Sequence, residues 1–469
     1  MRMTRRQFLS LAGGCAAAAT LNRRLVGASE PPKGKPNVVL LFADDMNYGG
    51  ASCYGDRWGI KTPNIDRLAT EGVRFTDAYV TAPTCGPSRA GLITGRYQQR
   101  FGHEFNSALR PGIGLPLTEE TIADRLKALG YATGIIGKWH LGGCGKEIGP
   151  EYHPTRRGFD EFFGFSGSMT TFFDSGHLYE GHEPVREEEY LTDAIARRSC
   201  DFIERHKSEP FFLYVPFNAV HTPLEAAEAD LQAVGNLDYS KHRNTDKARK
   251  RAAMLRGLDR GVGRILKVLK THGLEENTLV FFINDNGDYS SNGPFSGSKG
   301  ITAEGGIRVP YLLRWPGRVP GGKVYRQPVS TLDVLPTAVA AAGGQVDPAW
   351  KLDGVDLVPY LTGRKDGPPH EWLFWRMGDE RAARTGRWKI RYNGGSGYGW
   401  KPKPGETRWS LYDLDIDPAE RRDLKDDRPD TFQKMLAAYE AWDAQLAKPL
   451  WRFGASGQMG KWKATPAGG

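Results

Sequence analysis

Cysteine is scarce in this chain: there are five in 469 residues, with no CxxC spacing and no histidine cluster beside any of them. That pattern argues against a zinc site, and a chain of this length can bury a sizeable core without disulfides. The spacing leaves open whether Cys53, Cys144 and Cys200 pair. Long apolar runs are also missing. Past the N-terminal leader no segment approaches the roughly 20 apolar residues that span a bilayer, so no membrane span is expected in the mature form. Neither internal repeats nor long low-complexity tracts occur, and no array interleaves basic with aromatic residues, so nucleic acid is not an expected partner. The formal charge of +9 overstates the basicity: Arg2, Arg5, Arg6, Arg23 and Arg24 lie in an acid-free leader, and subtracting these five leaves +4. A surplus of that size suits an anionic substrate.

The leader itself is informative. Thr4-Arg5-Arg6-Gln7-Phe8-Leu9 is a twin-arginine pattern, followed by the apolar run from Phe8 to Thr20 and the small-residue cleavage site Val26-Gly27-Ala28. Residues 1–28 are therefore expected to be a signal peptide, with the protein exported by the twin-arginine route to the periplasm or beyond the cell. Cys15 belongs to this leader, because Ala12-Gly13-Gly14 is a poor acylation signal.

After a Pro/Gly/Lys linker at residues 31–36, four apolar runs read as buried strands of a wound parallel sheet: Asn37 to Ala43, Ala132 to Ile136, Phe211 to Val215 and Thr278 to Ile283. Helices are expected at Asn64 to Thr70, Thr118 to Leu129, Thr192 to Lys207 and Lys247 to His272. The fold class is thus α/β, with a large mixed, mostly parallel sheet flanked by helices over 36–363. GRKDGPP at 363–369 reads as a boundary. A smaller α+β subdomain follows over 370–448, with antiparallel strands near Glu371 to Arg376, Gly386 to Tyr392 and Trp409 to Leu414. Its helix, Thr431 to Leu446, carries Met435, Leu436, Tyr439, Trp442 and Leu446 on one stripe, which reads as core packing. Asn393 to Gly405 reads as a loop, and 449–469 as a tail.

Each of the four strands ends in polar or ionisable residues: Asp44-Asp45, Lys138 with His140, His221, and Asp285-Asn286. Sites of wound sheets lie outside the carboxyl ends of the strands, so these side chains should converge. Taken alone, Asp44-Asp45 reads equally as a turn with a helix cap. The stretch TAPTCGPSRAGLITGR, Thr81 to Arg96, sets Cys85 where a helix is expected to start, with Pro87 in its first turn. Alone, Cys85 reads as a small buried residue; an anionic atom there would face the positive end of a helix. Asp44, Asp45, Asp285 and Asn286 form an all-oxygen set suited to a hard cation, Ca²⁺ or Mg²⁺. A thiolate is a poor partner for such an ion, so residue 85 is not expected to act as a thiol. Arg89, Lys138, Lys299, His140 and His221 add cationic or proton-donating groups, which points to a compact tetrahedral anion as substrate.

Cys85-Gly86-Pro87-Ser88-Arg89 resembles the CxPSR signature of the type I sulfatases, continued by Leu92-Ile93-Thr94-Gly95-Arg96, and Gly137 to Gly142 resembles their second signature. The resemblance covers roughly residues 36–446. It implies an alkaline-phosphatase-like fold and oxidation of Cys85 to formylglycine by a formylglycine-generating enzyme. The hydrated aldehyde offers oxygens, which removes the mismatch with a hard metal. By the same resemblance Asp44, Asp45, residue 85, Asp285 and Asn286 surround Ca²⁺ (Mg²⁺ possible), Arg89 holds the hydrate, and Lys138 and Lys299 grip the sulfate. One hydroxyl of residue 85 attacks sulfur, His221 with Lys299 protonates the leaving oxygen, and His140 assists loss of the second hydroxyl's proton, which expels sulfate.

The expected activity is hydrolysis of sulfate monoesters of carbohydrates, with small aryl sulfates as adventitious substrates. A phosphonate or phosphate monoester hydrolase with the same formylglycine site, or an inactive homologue that binds sulfated glycans, are the alternatives. A cysteine phosphatase is disfavoured, since Gly91 stands where its arginine belongs. Glu304 and Arg308 are expected to hold the glycine-rich loop around Ser296 to Pro310. Gly102-His103-Glu104, Asn106, Arg110 and the segment from Phe172 to His177 are expected at the mouth of the pocket.

Overall fold

The computed structural model describes residues 34–55, 57–107, 113–142, 150–242, 244–290, 292–395 and 409–451. The leader with Cys15, Arg110, Cys144, most of the loop expected at 393–405 and all but the first three residues of the tail lie outside the described residues.

In chain order the strands are β1 (Asn37–Ala43), β2 (Val73–Phe75), β3 (Ala78–Tyr79), β4 (Ala132–Lys138), β5 (Glu161–Phe165), β6 (Leu178–Glu180), β7 (Glu183–Val185) and β8 (Phe211–Pro216), then β9 (Thr278–Asn284), β10 (Tyr311–Arg314), β11 (Lys323–Tyr325), β12 (Val329–Ser330), β13 (Leu373–Met377), β14 (Glu380–Thr385), β15 (Trp388–Asn393) and β16 (Trp409–Asp413). Ten of them form one sheet in the order β11-β2-β10-β9-β1-β8-β4-β5-β6-β7. Its centre, β9-β1-β8-β4-β5, is parallel, whereas β10 runs antiparallel to both its neighbours.

The continuous apolar run of β1 follows from burial on both faces. Val38, Leu40 and Phe42 enter one core; Val39, Leu41 and Ala43 enter the other. Helices cover each face. The helices α1 (Pro63–Glu71), α4 (Leu191–His206) and α5 (Thr245–Thr271) contribute to the second core, and α2 (Cys85–Thr94) and α3 (Ile122–Ala128) to the first. The helix expected from Thr118 starts later, because Thr121 and Asp124 form a reciprocal capping box that fixes Ile122 as its first residue.

The C-terminal sheet is antiparallel, in the order β13-β14-β15-β16, and has four strands rather than the three expected. The extra strand, β14, escapes an apolar-periodicity reading because its buried residues include Glu380 and Arg384, 0% and 5% exposed. The helix α6 (Pro429–Asp443) lays Met435, Tyr439 and Trp442 into the core beneath this sheet, with Leu436 and Leu446 packed against it.

Buried ion pairs tie this sheet to the glycine-rich loop. Glu304, fully buried, accepts from Lys389 Nζ at 2.8 Å, from Tyr79 Oη at 2.7 Å and from Arg308 at 3.2 Å. Burial works against its ionisation, but Lys389, Arg308 and Arg384 together hold its pKa down at about 2. Lys389 also reaches Glu420 at 2.9 Å, Glu420 accepts the Glu304 backbone N–H at 2.7 Å, and Glu380 accepts the N–H of Thr302 at 3.0 Å. Glu304 and Arg308 thus hold the loop, as expected from sequence. Lys389→Met should leave Glu304 and Glu420 without their shared cation and lower the unfolding free energy by about 3 kcal/mol. Urea denaturation followed by tryptophan fluorescence checks this, and adding Glu304→Gln should restore part of the loss.

Candidate active site

The parallel register brings the strand ends to one edge. Ala43 lies opposite Asn284, Phe42 opposite Pro216, and Ile135 opposite Tyr214. Pairing continues past the strands: the Asp44 N–H donates to Ala219 O at 3.0 Å, Val220 N–H to Asp44 O at 2.7 Å, and Asp285 N–H to Ala43 O at 3.1 Å. Asp44, Asp45, Lys138, His140, His221, Asp285 and Asn286 are therefore all fixed at the same end of the sheet, and all are buried. Asp45 and His140 occupy the left-handed region, with φ of 56° and 55°. For non-glycine residues that conformation costs about 1 kcal/mol each, and here it turns the chain sharply as it leaves β1 and β4.

Cys85 is the first residue of α2, preceded by Thr84 in extended conformation, and every residue of the helix is buried. Thr84 makes no side-chain cap; instead the Asn106 side chain, from outside the helix, accepts the first-turn Gly86 N–H at 2.8 Å. Gly91 must lack a side chain, since a Cβ there would meet Thr81 Oγ1 at 2.2 Å.

Around Cys85 the charges interlock. Its Sγ lies 3.5 Å from Asp44 Oδ1, 3.9 Å from Asp45 Oδ1 and 2.9 Å from Lys299 Nζ. Lys138 Nζ donates to Asp44 Oδ2 at 2.5 Å, and Lys299 Nζ to Asp45 Oδ1 at 2.6 Å. Arg89 donates to Asp285 Oδ2 at 3.1 Å and to the Lys138 carbonyl at 3.3 Å, with Asp44 Oδ2 at 3.4 Å and the Phe42 ring 5.1 Å away. Burial pushes the Cys85 thiol up, assisted by Asp44 and Asp45 and only partly opposed by Lys138 and Lys299. A thiol held protonated in this way is a poor nucleophile. Burial would raise Asp44 as well, but Lys138, His221 and Arg89 hold its carboxyl well below the usual range. Asp285 goes the other way, raised by burial and by the charge of Asp44. Lys299 stays well above its ordinary value, because Asp45 and Cys85 outweigh its burial.

The two histidines are held differently. His221 Nδ1 lies 2.6 Å from the Thr222 carbonyl, which fixes Nδ1–H as donor and turns Nε2 towards Asp45 Oδ2 at 3.4 Å. His140 is fully buried with neither ring nitrogen hydrogen-bonded. Burial first, then Lys138 and Arg89, drive its pKa well below the ordinary value. It is a neutral base facing the cluster.

The donor set is compatible with a metal ion. Ligand atoms of Asp44, Asp45, Cys85 and His221 lie within 4.8 Å of one another, and Asp45 Oδ2 and Asn286 Oδ1 are buried without a hydrogen-bond donor. Asp285 is engaged on both oxygens, Oδ1 accepting the Asp45 N–H at 3.0 Å and Oδ2 bonded to Arg89.

Comparison with known proteins agrees with this chemistry. The Sulfatase family model matches residues 36–344. The chain belongs to the sulfatase family. It is a type I sulfatase of the alkaline phosphatase superfamily, a sulfuric ester hydrolase. It is 31% identical to arylsulfatase H of Canis lupus familiaris, over 87% of this chain and 90% of the relative. Among solved structures it is similar to Ps i-CgsB in complex with k-i-k-neocarrahexaose, at 33% identity, TM-score 0.80, and coverage of 90% of this chain and 96% of that one. The phosphonate monoester hydrolase of Agrobacterium radiobacter shares the fold, at 21% identity, TM-score 0.61 and coverage of 87% and 96%.

The residues expected at the mouth of this sulfatase's pocket divide. His103 is fully buried against Trp451, and burial pulls its pKa down to about 3, so it packs as a neutral ring rather than meeting solvent. Glu104 is buried and paired with Arg376. Asn106 reaches the site through Gly86. Phe172 is buried, stacked on Tyr190, whereas Phe173 is 44% exposed. Asn218 was missed: it is 2% exposed, lies between β8 and His221, and neither of its amide atoms has a hydrogen-bond partner. A polar residue just past an apolar strand was the available signal. In this network Arg89→Lys keeps the charge but cannot bridge two carboxylates and a carbonyl. The variant should lose about 2 kcal/mol of stability, read by chemical denaturation.

Proposed function

We propose that this sulfatase is exported by the twin-arginine route and hydrolyses sulfate monoesters of carbohydrates through a formylglycine hydrate at residue 85, with Ca²⁺ held by Asp44, Asp45, residue 85, Asp285 and Asn286. The observation that carries the reading is the setting of Cys85: a thiol kept protonated by burial, inside a ring of carboxylates and lysines. Such a position favours an oxygen nucleophile over sulfur. The carbohydrate part is supported by the similarity to Ps i-CgsB, solved with a neocarrahexaose, and export by the Thr4 to Leu9 motif.

When bound, the cation neutralises Asp44 and Asp45 and polarises the sulfate oxygens. The chain's own groups divide the remaining work. Lys138 and Lys299, within 2.6 Å of those carboxylates, are positioned to take the non-bridging oxygens of the ester. Arg89 fixes Asp285 and adds a permanent positive charge beside residue 85. His221, with Nδ1–H tied to the Thr222 carbonyl and Nε2 facing Asp45, delivers a proton from Nε2 to the leaving oxygen in its imidazolium form, and Lys299 assists. His140, neutral and unpaired, accepts the proton released when residue 85 returns to its aldehyde.

The decisive experiment is mass spectrometry of the tryptic peptide from Phe75 to Arg89, with protein expressed alone and beside a formylglycine-generating enzyme. Aldehyde or hydrate at residue 85 should rise together with hydrolysis of 4-nitrophenyl sulfate, and should exceed hydrolysis of phenylphosphonate esters. A residue-85 thiol in fully active protein overturns the mechanism. For the metal, saturating Ca²⁺ should raise the melting temperature by several degrees, in proportion to ln(1 + [Ca²⁺]/Kd), and Asp45→Asn should abolish the shift. No shift with either Ca²⁺ or Mg²⁺ overturns the cation assignment.

A further inference from the structure

A second cavity, of about 800 Å³, is lined by Arg57, Trp58, Lys241, Lys247, Arg251 and Tyr289 among others, and by no carboxylate among the described residues. Arg57, Lys241 and Lys247 have no ion-pair partner among the described residues. Arg251, nine-tenths buried, gives one nitrogen to Asp288 at 2.9 Å and keeps its buried Nε without a hydrogen-bond partner. The first turns of α5 form part of the wall. There the Asn244 side chain accepts the Lys247 N–H at 2.9 Å, and the helix end adds partial positive charge. The cavity is therefore cationic, with the Arg251 guanidinium, held by Asp288, in its wall. Cations gathered around one space without a carboxylate in its lining attract an anion from outside the chain.

This cavity adjoins the Cys85 centre. Tyr289, 49% exposed, is part of its wall, and its ring centroid lies 4.8 Å from Nζ of Lys299, the lysine in contact with Cys85 Sγ. Asp288 couples the two sites directly, since its carboxylate holds Arg251 and its carbonyl accepts the Lys299 N–H at 3.0 Å. A sulfate ester seated at residue 85 thus has a neighbouring sugar unit within reach of an exposed aromatic face and, beyond it, a basic pocket. We propose that this cavity is a subsite for a sulfate or carboxylate on a sugar unit next to the one being cleaved, which makes the substrate a multiply charged oligosaccharide or polysaccharide. The inference rests on the sulfatase reading of the Cys85 centre.

Lys241 and Lys247 are exposed, so their replacement does not disturb the core. With Cys85→Ala protein, which cannot turn substrate over, calorimetry should show ι-carrageenan and chondroitin sulfate hexasaccharides binding about tenfold more weakly when Lys241→Ala and Lys247→Ala are added, with a flatter dependence on NaCl. Weakening of both, or of the carrageenan alone, identifies sulfate, which both sugars carry, and weakening of the chondroitin sulfate alone identifies the carboxylate. In the formylglycine-bearing enzyme the ratio of kcat/KM on a hydrolysed hexasaccharide to kcat/KM on 4-nitrophenyl sulfate should fall about tenfold. Three results overturn the inference: unchanged hexasaccharide affinities, equal losses on both substrates, or equally tight lysine-dependent binding of a DNA oligonucleotide of the same charge. Turnover of 4-nitrophenyl sulfate with no hexasaccharide bound removes the subsite and leaves the sulfatase centre standing. Lysine-dependent hexasaccharide binding in a protein that hydrolyses no sulfate ester supports the subsite while overturning the catalytic reading.

Discussion

Two adjacent carboxylates at the end of a strand buried on both faces set the main constraint on this molecule. Asp44 and Asp45 leave β1 with no access to water, and Asp285 is fixed beside them at the end of β9. Three carboxylates in a low-dielectric site would repel one another by several kcal/mol without compensation. Lys138, Lys299 and Arg89 supply it, each within 3.1 Å of one of them. The same cations match the charge of a sulfate ester. Charge balance in the apoprotein and substrate recognition therefore draw on one set of groups, which is why the site is both costly to build and chemically competent.

Those three cations come from separate parts of the chain, and the fold has to hold each one. Lys138 ends β4, and Arg89 sits one turn into α2. Lys299 is carried by the glycine-rich loop, whose position depends on Glu304, Lys389, Glu420 and Glu380. The C-terminal sheet thus supports the centre from behind: β14 and β15 contribute the buried charges that fix the loop, and Trp375 Nε1 donates to the Val80 carbonyl at 2.7 Å, just ahead of the Cys85 stretch. The loop continues into Asp288 and Tyr289, so one segment links the reacting centre to the basic cavity beside it.

The core strands were legible because a strand buried on both faces needs an unbroken apolar run, and β1, β8 and β9 supply one each. Their polar ends pointed to a shared edge by the logic of wound sheets, and the structure puts all of them there. β14 was not legible, since its buried side chains are charged and find their partners on distant segments. Nor was the fate of His103, which nothing in its own neighbourhood distinguishes from an exposed histidine; it is Trp451, almost 350 positions away, that covers it. Asn218 and the pairing of Asn106 with Gly86 were hidden for the same reason.

The sequence by itself determined the fold class, the family and which side chains stand at the strand ends, because strand periodicity, helix stops and a signature around Cys85 are local in the chain. Tertiary structure alone decided the protonation of those side chains. Whether Cys85 is a thiol, Asp44 an anion or His140 a neutral base depends on burial and on charges brought in from remote elements, and a linear sequence does not encode the distances that set those balances. The basic cavity belongs to the same class: Arg57, Lys241, Lys247 and Arg251 are scattered cations in the chain until folding gathers them around one space.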